Sequence, residues 1–469
     1  MKIRALIAFL FAACVIHAAP VKVSRDWRWV QGAVFVPTNA VNEAQQWDEY
    51  DPAINDRELH YASIYGINLV RVYLHYYVYL KKRDALLHDL ADFLARANRY
   101  GIKTDLVFFD DCWNQPSEDL LSPGYRYPAP LPGVHNSRWL VSPGASVQAH
   151  YAENRARLQA YVQDIVRAHL ADPRIAFWEI YNEPNKSAET LRLEQDAAAW
   201  IKATGTAIPA TATGREFSGD PFSDFASWHE YGGFAYIGPP DALNTECMNR
   251  RGQSVPEVVR HFKGRTGFIV WELGIGRDNC RFTWDDNRDH PRAEEPAIPF
   301  HGLVYPDGHP WAVDDVKALL GAEKFAATPF FKVTYFRDGQ FYDAAKISIV
   351  PFIDFDLVDE AGVGSPDASA RIPKDNFSVA YAGSIAVDQA GEYTFVVQTD
   401  GRATLEVDGK KILGESAGGR STGEATLSPA QRYPVVMRYV HGTGPAKLHV
   451  LWSGPDFSER PLMPADHPE

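Results

Sequence analysis

Short apolar runs alternate with longer amphipathic segments between residues 30 and 320 of the chain. The short runs are rich in β-branched and aromatic residues, which indicates strands, and the segments between them repeat apolar residues at helical spacing. Alternating strands and helices predict a parallel sheet, and eight strands predict that it closes as a (β/α)8 TIM barrel. The predicted strands cover residues 33–36, 68–75, 103–109, 175–182, 207–213, 226–231, 267–273 and 298–304.

Three of the intervening segments predict helices clearly. Apolar residues recur on one face of the segments 85–100 and 147–170. Ser187 is a residue type that caps helices, so a third helix is predicted over residues 188–203.

Beyond residue 330 the apolar period shortens to two. Tyr393, Phe395 and Val397 alternate with other residues, and Asp408-Gly409 is a two-residue hairpin signal. This pattern predicts an all-β sandwich or barrel after the (β/α)8 domain, which makes the chain α/β followed by all-β. The predicted division is a leader at 1–19, a catalytic barrel at 20–321, a linker at 322–329 and the β domain at 330–469.

Composition supports two domains and narrows the choice of partner. The chain has 469 residues, 45% of them hydrophobic, so it can bury a large core. A formal net charge of -13, without a basic run or a zinc-finger spacing, predicts no nucleic acid partner. The 12 tryptophans are typical of a protein with carbohydrate platforms or a large aromatic core.

The N-terminus has the features of a secretory signal. Lys2 and Arg4 precede an apolar stretch at 5–16, and Ala18 and Ala19 are small residues suited to cleavage. The stretch is too short to span a membrane, so a secreted or periplasmic protein is expected. A lipid anchor at Cys14 is the alternative, and it is the only membrane attachment the sequence suggests.

Three cysteines remain after removal of the leader: Cys112, Cys247 and Cys280. An oxidising compartment permits one disulfide. Because Cys247 and Cys280 follow neighbouring predicted strands, they are the predicted pair.

Two of the predicted strands end in a glutamate. The fourth ends at Asn182-Glu183-Pro184, where the proline stops the strand, and the seventh ends at Glu272. The C-terminal ends of barrel strands are where such enzymes keep their chemistry. Glycoside hydrolysis needs two carboxyl groups, one to protonate the leaving oxygen and one to attack the anomeric carbon. The pair therefore predicts a glycosidase, whereas a single buried glutamate would be read as structural.

With these motifs the barrel resembles the clan A retaining glycoside hydrolases, closest to the cellulase-like family five, over residues 30 to 320. The resemblance implies that Glu183 is the acid/base and Glu272 the nucleophile. It also implies that Asn182 holds the sugar 2-hydroxyl, and it implies no cofactor.

Two further motifs carry the resemblance. Arg71 in Asn-Leu-Val-Arg-Val-Tyr matches an arginine that supports the nucleophile. His229-Glu230-Tyr231 matches a His-x-Tyr on strand six, which implies that Tyr231 donates to the nucleophile. Structural alternatives stay open, since Arg71 could be a buried ion-pair partner and His229 a core residue.

The long segment 110–144 follows the third predicted strand and is expected to be functional. It departs from the family, which often has a histidine where this chain has Asp110-Asp111-Cys112-Trp113. Asp110 and Asp111 either bind sugar hydroxyls or end the strand. Trp113 and Trp311 are either sugar platforms or packing residues. No Asp/His group has a metal-ligand spacing, so no metal is predicted.

The β domain resembles the protective-antigen (PA14) domain, on the segments 375–383, 391–395, 405–409 and 448–452. Sugar-binding members of that family hold calcium with an Asp-Asp pair, and this chain has Thr399-Asp400 instead. The loss of one carboxylate predicts a domain that packs rather than one that binds sugar through calcium.

The sequence as a whole predicts a secreted retaining β-glycosidase that acts on a β-linked polysaccharide or oligosaccharide of the glucan or mannan type. Two alternatives remain. One is a catalytically inactive carbohydrate-binding or adhesion protein, and the other is a transglycosylase on the same scaffold. The oligomeric state is not indicated.

Overall fold

A computed structural model describes residues 25–214, 221–360 and 362–468. The predicted leader lies outside these residues. In the N-terminal domain eight parallel strands follow one another around a barrel. They are β1 (Gln31–Val34), β2 (Leu69–Tyr73), β3 (Lys103–Asp110), β4 (Ile175–Asn182), β5 (Ala210–Thr213), β6 (Ser227–Glu230), β7 (Leu243–Cys247) and β8 (Gly267–Val270).

Helices surround this barrel, and all of them except α9 have buried residues. They are α1 (Glu43–Asp48), α2 (Pro52–Ile64), α3 (Tyr76–Arg99), α4 (Ala145–Ala149), α5 (Tyr151–Ala168), α6 (Ala188–Ala203), α7 (Val255–Phe262), α8 (Val313–Leu320) and α9 (Ala322–Ala327). Helix α6 has the predicted bounds, and the Ser187 side chain accepts from the Thr190 amide as its cap. The predicted linker contains α9.

The sheet runs β5-β4-β3-β2-β1-β8-β7-β6, so β1 and β8 are hydrogen-bonded and the TIM barrel fold is confirmed. The remaining seam, between β5 and β6, is joined by a bridge between Gly214 and Trp228 and by the Asp224 amide, which donates to the Ala210 carbonyl at 2.7 Å. All eight strands therefore point their C-terminal ends at one face.

Two strand predictions are wrong, and the error changes the site. Residues 243–247 form β7, although no strand was predicted there, and the predicted seventh strand is β8. The predicted eighth strand at 298–304 forms only isolated bridges, from Val304 to Gly274 and to Pro310. The sequence Leu-Asn-Thr-Glu-Cys of β7 carries three polar residues in a row, so it lacks the apolar run that marks the other strands.

The C-terminal domain is a curled antiparallel sheet in the order β10-β9-β12-β15-β13-β16-β11, with β14 beside β13 and β17 beside β16. The predicted hairpin at Asp408-Gly409 joins β13 and β14, and both residues have positive φ, as such a turn requires. The strands are β9 (Phe331–Phe336), β10 (Ala344–Val350), β11 (Asp354–Leu357), β12 (Ser378–Ile385), β13 (Gly391–Val407), β14 (Lys410–Leu427), β15 (Tyr433–Val440), β16 (Ala446–Gly454) and β17 (Phe457–Pro461).

The two domains pack against each other through apolar and charged contacts. Phe352 of the C-terminal domain stacks on Tyr61 of α2 with ring centroids 4.7 Å apart. Phe330, Ile349 and Phe352 belong to the same buried cluster as the barrel helices. Arg277, which follows β8, donates to Glu360 of the C-terminal domain. The β domain is thus held against the barrel. Among the described residues, no helix is both long enough and apolar enough to cross a membrane.

Candidate active site

Two glutamates share a site at the C-terminal face of the barrel: Glu183 directly after β4, and Glu246 on β7. One oxygen of each, together with Nδ1 of His229, lies in a group whose atoms are all within 4.8 Å of one another. Nδ1 of His229 is 2.8 Å from Glu183 Oε1 and 3.4 Å from Glu246 Oε2. The carboxylate that faces Glu183 is therefore Glu246, and not Glu272.

Arg71 on β2 organises the buried part of this site. Its guanidinium donates to both oxygens of Glu179, at 2.8 and 2.5 Å, to Oδ1 of Asn182 at 2.8 Å, and to Oε1 of Glu246 at 2.7 Å. The arginine is fully buried, so these contacts compensate the cost of removing its charge from water. The sequence predicted Arg71 as support for the nucleophile, and of the two glutamates that face each other, Glu183 and Glu246, the one that Arg71 contacts is Glu246.

Irregular pairing explains how these side chains meet. Glu179 and Asn182 are three residues apart on β4, yet both contact Arg71. An extra residue in β4 between them, relative to β5, brings both side chains to the inner face. The same irregularity occurs in β7 between Asn244 and Cys247, and it accompanies the inward position of Glu246. Such bulges re-aim side chains beside active sites.

Tyr231 and His229 connect the two glutamates. The Tyr231 hydroxyl donates to Glu246 Oε2 at 2.8 Å, and Tyr73 donates to Oε1 at 3.1 Å. Burial lowers the pKa of His229, but the carboxylates of Glu246 and Glu183 outweigh burial and raise it above the ordinary value. The two carboxylates therefore favour the protonated form of His229.

Asn182 is positioned by Asp110. Its amide nitrogen donates to Asp110 Oδ1 at 2.7 Å, which fixes its oxygen toward Arg71. Asp110 also accepts from the Trp139 indole at 2.8 Å. Burial raises the pKa of Asp110 to about 7, against the lowering effect of these hydrogen bonds. Asp110 thus orients the residue beside the acid/base candidate.

Asp111 holds the connection after β4. It accepts from the Tyr181 hydroxyl at 2.7 Å, from the amide and side chain of Asn185 at 3.0 and 2.6 Å, and from Thr190 at 3.0 Å. Both carboxylate oxygens are occupied in this way, which favours the structural alternative for Asp111.

Glu272 lies two residues after the end of β8, so the prediction that it ends strand seven is wrong. Its carboxyl group is fully buried, with Asp278 and Cys280 within 4.8 Å. Burial, and the carboxyl of Asp278 beside it, raise the pKa of Glu272 well above its ordinary range. Burial also raises the pKa of Asp278. Burial therefore favours the protonated form of both carboxyls in this closed interior site.

The predicted disulfide between Cys247 and Cys280 is not formed, and both thiols are free. Cys247 lies within β7 and its sulfur contacts the Ile269 carbonyl of β8 at 3.4 Å. Cys280 lies in the connection after β8, next to Glu272. The prediction is wrong because Cys247 does not follow strand six in a connection but lies within β7, a strand that was not predicted.

The predicted tryptophans divide into two kinds. Trp113 is 45% exposed at the rim, as is Trp284 at 44%, whose ring meets that of Tyr231 at 5.2 Å. The ring of Trp311 is instead covered by the Arg250 guanidinium at 4.5 Å. Trp113 keeps the platform alternative, and Trp311 packs.

Sequence reasoning missed three parts of the site. Glu246 was hidden in the polar run of β7. Tyr73 was read only as part of a strand, although its spacing from Arg71 places both on the inner face. Trp139, deep in the long segment after β3, had no signal beyond its residue type.

Two groups in the described part of the chain have ligand atoms close enough for a cation: Glu183, His229 and Glu246 at the site, and Glu272, Asp278 and Cys280 behind it. In the first group His229 and Glu183 already form a hydrogen bond, which a cation would have to replace. In the C-terminal domain Asp400 accepts from Tyr439 at 2.7 Å, His441 at 2.8 Å and the Lys447 amide at 2.5 Å. Its oxygens are occupied within the domain.

Comparisons with known proteins find similarity over parts of the chain. The chain is 28% identical over 142 residues to the anti-sigma-I factor RsgI3 of Acetivibrio thermocellus, which is 29% of this chain and 21% of that protein. The chain thus spans about a fifth of this curated relative.

Two solved structures are similar at low sequence identity. A β-1,4-mannanase from the sea hare Aplysia kurodai is 14% identical, covers 52% of this chain and 90% of its own, and has a TM-score of 0.37. A PA14 sugar-binding domain from an RTX adhesin is 20% identical, covers 30% of this chain and 100% of its own, and has a TM-score of 0.26. The PA14 domain family matches residues 330–464. The C-terminal domain is therefore a PA14 domain, as its sequence motifs predicted.

Proposed function

We propose that the barrel is a retaining β-glycosidase in which Glu183 is the acid/base and Glu246 the nucleophile. The observation that carries the proposal is the approach of the two glutamates to within 4.8 Å at the C-terminal face of the barrel. Retaining enzymes hold their carboxyl groups about 5 Å apart, whereas inverting enzymes need about 6.5–9.5 Å to admit a water. The spacing supports double displacement.

The surroundings of the two glutamates suit these roles. Glu246 accepts hydrogen bonds from Arg71, Tyr231 and Tyr73, which stabilise an anion ready to attack the anomeric carbon. Oε1 of Glu183 lies 2.8 Å from Nδ1 of His229, a group that can exchange a proton with it between the two steps.

The reaction then has two steps. In the first, Glu183 gives its proton to the glycosidic oxygen while a Glu246 oxygen bonds to the anomeric carbon and the leaving sugar departs. In the second, Glu183 takes a proton from water, the water oxygen bonds to the anomeric carbon, and Glu246 is released. Asn182, held between Arg71 and Asp110, is placed to bind the 2-hydroxyl of the sugar.

The proposed substrates are β-linked glucans or mannans, which is what the family-five resemblance implies. The leader motif supports the further proposal of a secreted or periplasmic location, where such polymers are met. A transglycosylase would use the same covalent intermediate, and the ratio of sugar transfer to hydrolysis separates the two.

The experiment that tests the mechanism is covalent trapping. A fluoro-deoxy β-glycoside with a dinitrophenyl leaving group should inactivate the enzyme and add one sugar to a peptide that contains Glu246. Proton NMR of an aryl β-glycoside digest should show the β anomer first. Label on the Glu272 peptide would restore the nucleophile predicted from sequence, and an α anomer first would exclude double displacement.

A further inference from the structure

The connections at the C-terminal face of the barrel are unequal. Residues 111–144 after β3 and residues 271–312 after β8 are long, and we call them the β3 loop and the β8 loop. In contrast, residues 183–187 after β4 lead straight into α6, and residues 248–254 after β7 lead straight into α7. Loops of this length in a compact domain are typically functional.

The β3 and β8 loops are joined by hydrogen bonds across the intervening strands. The His135 amide donates to the Asp286 carbonyl at 2.8 Å, and the Arg292 amide donates to the Gly133 carbonyl at 2.8 Å. The Asn279 side chain donates to the Leu131 carbonyl at 2.8 Å and to the Val134 carbonyl at 3.1 Å. Since β1 and β2 lie between β8 and β3, the joined loops pass over both.

The segment after β1 packs against the joined β3 and β8 loops, and we call these three segments together the wall. The Asn42 side chain donates to the Arg138 carbonyl at 2.7 Å, and the Arg277 amide donates to the Thr38 carbonyl at 3.1 Å. Both Asn42 and His135 are buried. The wall is therefore a packed part of the domain.

Aromatic rings extend the wall toward β6. His135 of the β3 loop meets His301 of the β8 loop with centroids 5.6 Å apart, and His301 meets Tyr231 at 5.7 Å. At the end of this row of rings, the ring of Trp284 contacts the ring of Tyr231. Burial holds the pKa of His301 well below its usual range, so this ring is neutral.

The two glutamates lie asymmetrically with respect to this wall. Glu183 directly follows β4, at the start of the short connection, and 12% of its side chain is exposed, whereas Glu246 is 6% exposed. The leaving group must lie beside the acid that protonates it. The leaving sugar therefore extends over β4, and the sugar that is attacked points toward the wall.

Resting on the proposed function, we propose that the wall closes the site beyond the attacked sugar, so that the enzyme removes sugars from the non-reducing ends of β-linked chains. A wall on the side of the attacked sugar leaves no path for a longer chain there. The side of the leaving group stays able to receive the rest of the chain.

The first experiment reads the cleavage position. Hexasaccharides of β-linked glucose and of β-linked mannose, reduced at one end as a label, are digested briefly and analysed by mass spectrometry. The expected early products are a labelled chain shortened from its unlabelled end and one small unlabelled sugar. Labelled fragments from internal cuts at the same early time would overturn the inference while leaving the glycosidase intact. No cleavage of either would count against the proposed function itself.

A second experiment reads binding without turnover. The Glu246→Gln variant is titrated with the same oligosaccharides, free or methylated at the non-reducing terminal sugar. The blocked ligands should bind about tenfold more weakly or not at all, a loss of about 1.4 kcal/mol or more. Equal affinity would contradict a closed end, and absence of binding by both would contradict the substrate class.

A double variant and a control test whether the hydrogen bonds between the β3 loop and the β8 loop form the wall. Arg288 of the β8 loop donates to Asn114 at 2.9 Å and to the Ser137 carbonyl at 3.1 Å, and it is exposed. The double variant Asn279→Ala with Arg288→Ala should raise the share of internal cuts severalfold. The control is Arg83→Ala, another exposed arginine that pairs with Asp164 on the outside of the barrel. A double variant that folds, as judged by its melting temperature, and keeps the parent product pattern would show that the bridge does not limit the site.

Discussion

Glu246 and Glu272 stand at the C-terminal ends of neighbouring strands, and their surroundings are opposite. Glu246 accepts from a guanidinium and two phenol hydroxyls, and it faces Glu183 across the site. Glu272 is enclosed with a second carboxyl and a thiol, and burial with Asp278 raises its pKa. One carboxyl group is surrounded by hydrogen-bond donors, whereas burial favours the protonated form of the other.

The difference teaches that a strand end alone does not define a nucleophile. The donors around Glu246 come from β2 and from the segment after β6, so they depend on which strands are neighbours. Tyr231 follows β6, the neighbour of β7, so its hydroxyl can donate to a glutamate on β7. The acceptor of this hydrogen bond therefore identifies the strand of the proposed nucleophile. The predictions below test this contrast.

The largest effect is expected for Glu246. The Glu246→Ala variant should lose about ten-thousandfold in kcat, because the attacking atom is removed, and azide should restore turnover with an α-glycosyl azide product. Glu272→Gln should keep kcat within a few-fold of the parent, because its carboxyl group does not face Glu183. The kcat of both variants is measured on aryl β-glycosides.

The reverse pattern would contradict the comparison directly. If Glu272→Gln lost activity while folded, and Glu246→Ala kept it, the nucleophile would be on β8. Circular dichroism at the assay temperature provides the check on folding for both variants.

The Glu183→Ala variant tests the proposed acid/base in the same way. Loss of the proton donor should cost about a hundredfold to ten-thousandfold on substrates with poor leaving groups. Aryl glycosides with acidic phenols need little protonation, so their first step should be almost unchanged. An equal loss on both kinds of substrate would assign Glu183 a role other than proton transfer.

Tyr231→Phe removes one donor from Glu246. A hydrogen bond to a charged group contributes about 1.5–3 kcal/mol, so kcat should fall about tenfold to a hundredfold. The matched control is Tyr79→Phe, which removes a hydroxyl bound to Asp164 on the outside of the barrel, 2.6 Å away. If the two variants had the same activity, Tyr231 would have no part in holding the nucleophile.

The sequence predicts the TIM barrel, the bounds of α6, the hairpin at Asp408-Gly409 and the PA14 domain. These features rest on local signals such as apolar periodicity, caps and turn residues. The strand β7 was missed because its buried residues are polar and are paired with other strands: Asn244, for example, donates to the Trp228 carbonyl. Hydrogen bonds of this kind are set by tertiary neighbours and leave no periodic trace in one sequence.

The residues of the candidate site were also predicted only in part. Glu183, Asn182, Arg71, His229 and Tyr231 all meet at the face of the barrel. Glu246 could not be found by alternation, because the extra residue in β7 shifts it out of the period of two. Because β7 was missed, the nucleophile was assigned to Glu272, and the disulfide was predicted between Cys247 and Cys280.

The smallest expected effect concerns stability and pH at Glu272. Burial and Asp278 raise the pKa of Glu272, so the folded protein keeps a proton that the unfolded chain releases near its ordinary value of about 4.5. The unfolded state then binds fewer protons, and the free energy of unfolding falls as the pH rises above that value. Each unit of raised pKa corresponds to about 1.4 kcal/mol lost by the time the folded group ionises. Glu272→Gln cannot ionise, so its free energy of unfolding should fall less steeply than that of the parent as the pH rises above about 5. Part of the slope should remain, because burial also raises the pKa of Asp278. Urea unfolding across this range measures it, and parallel curves for variant and parent would mean that Glu272 is ionised in the fold, as a nucleophile would be.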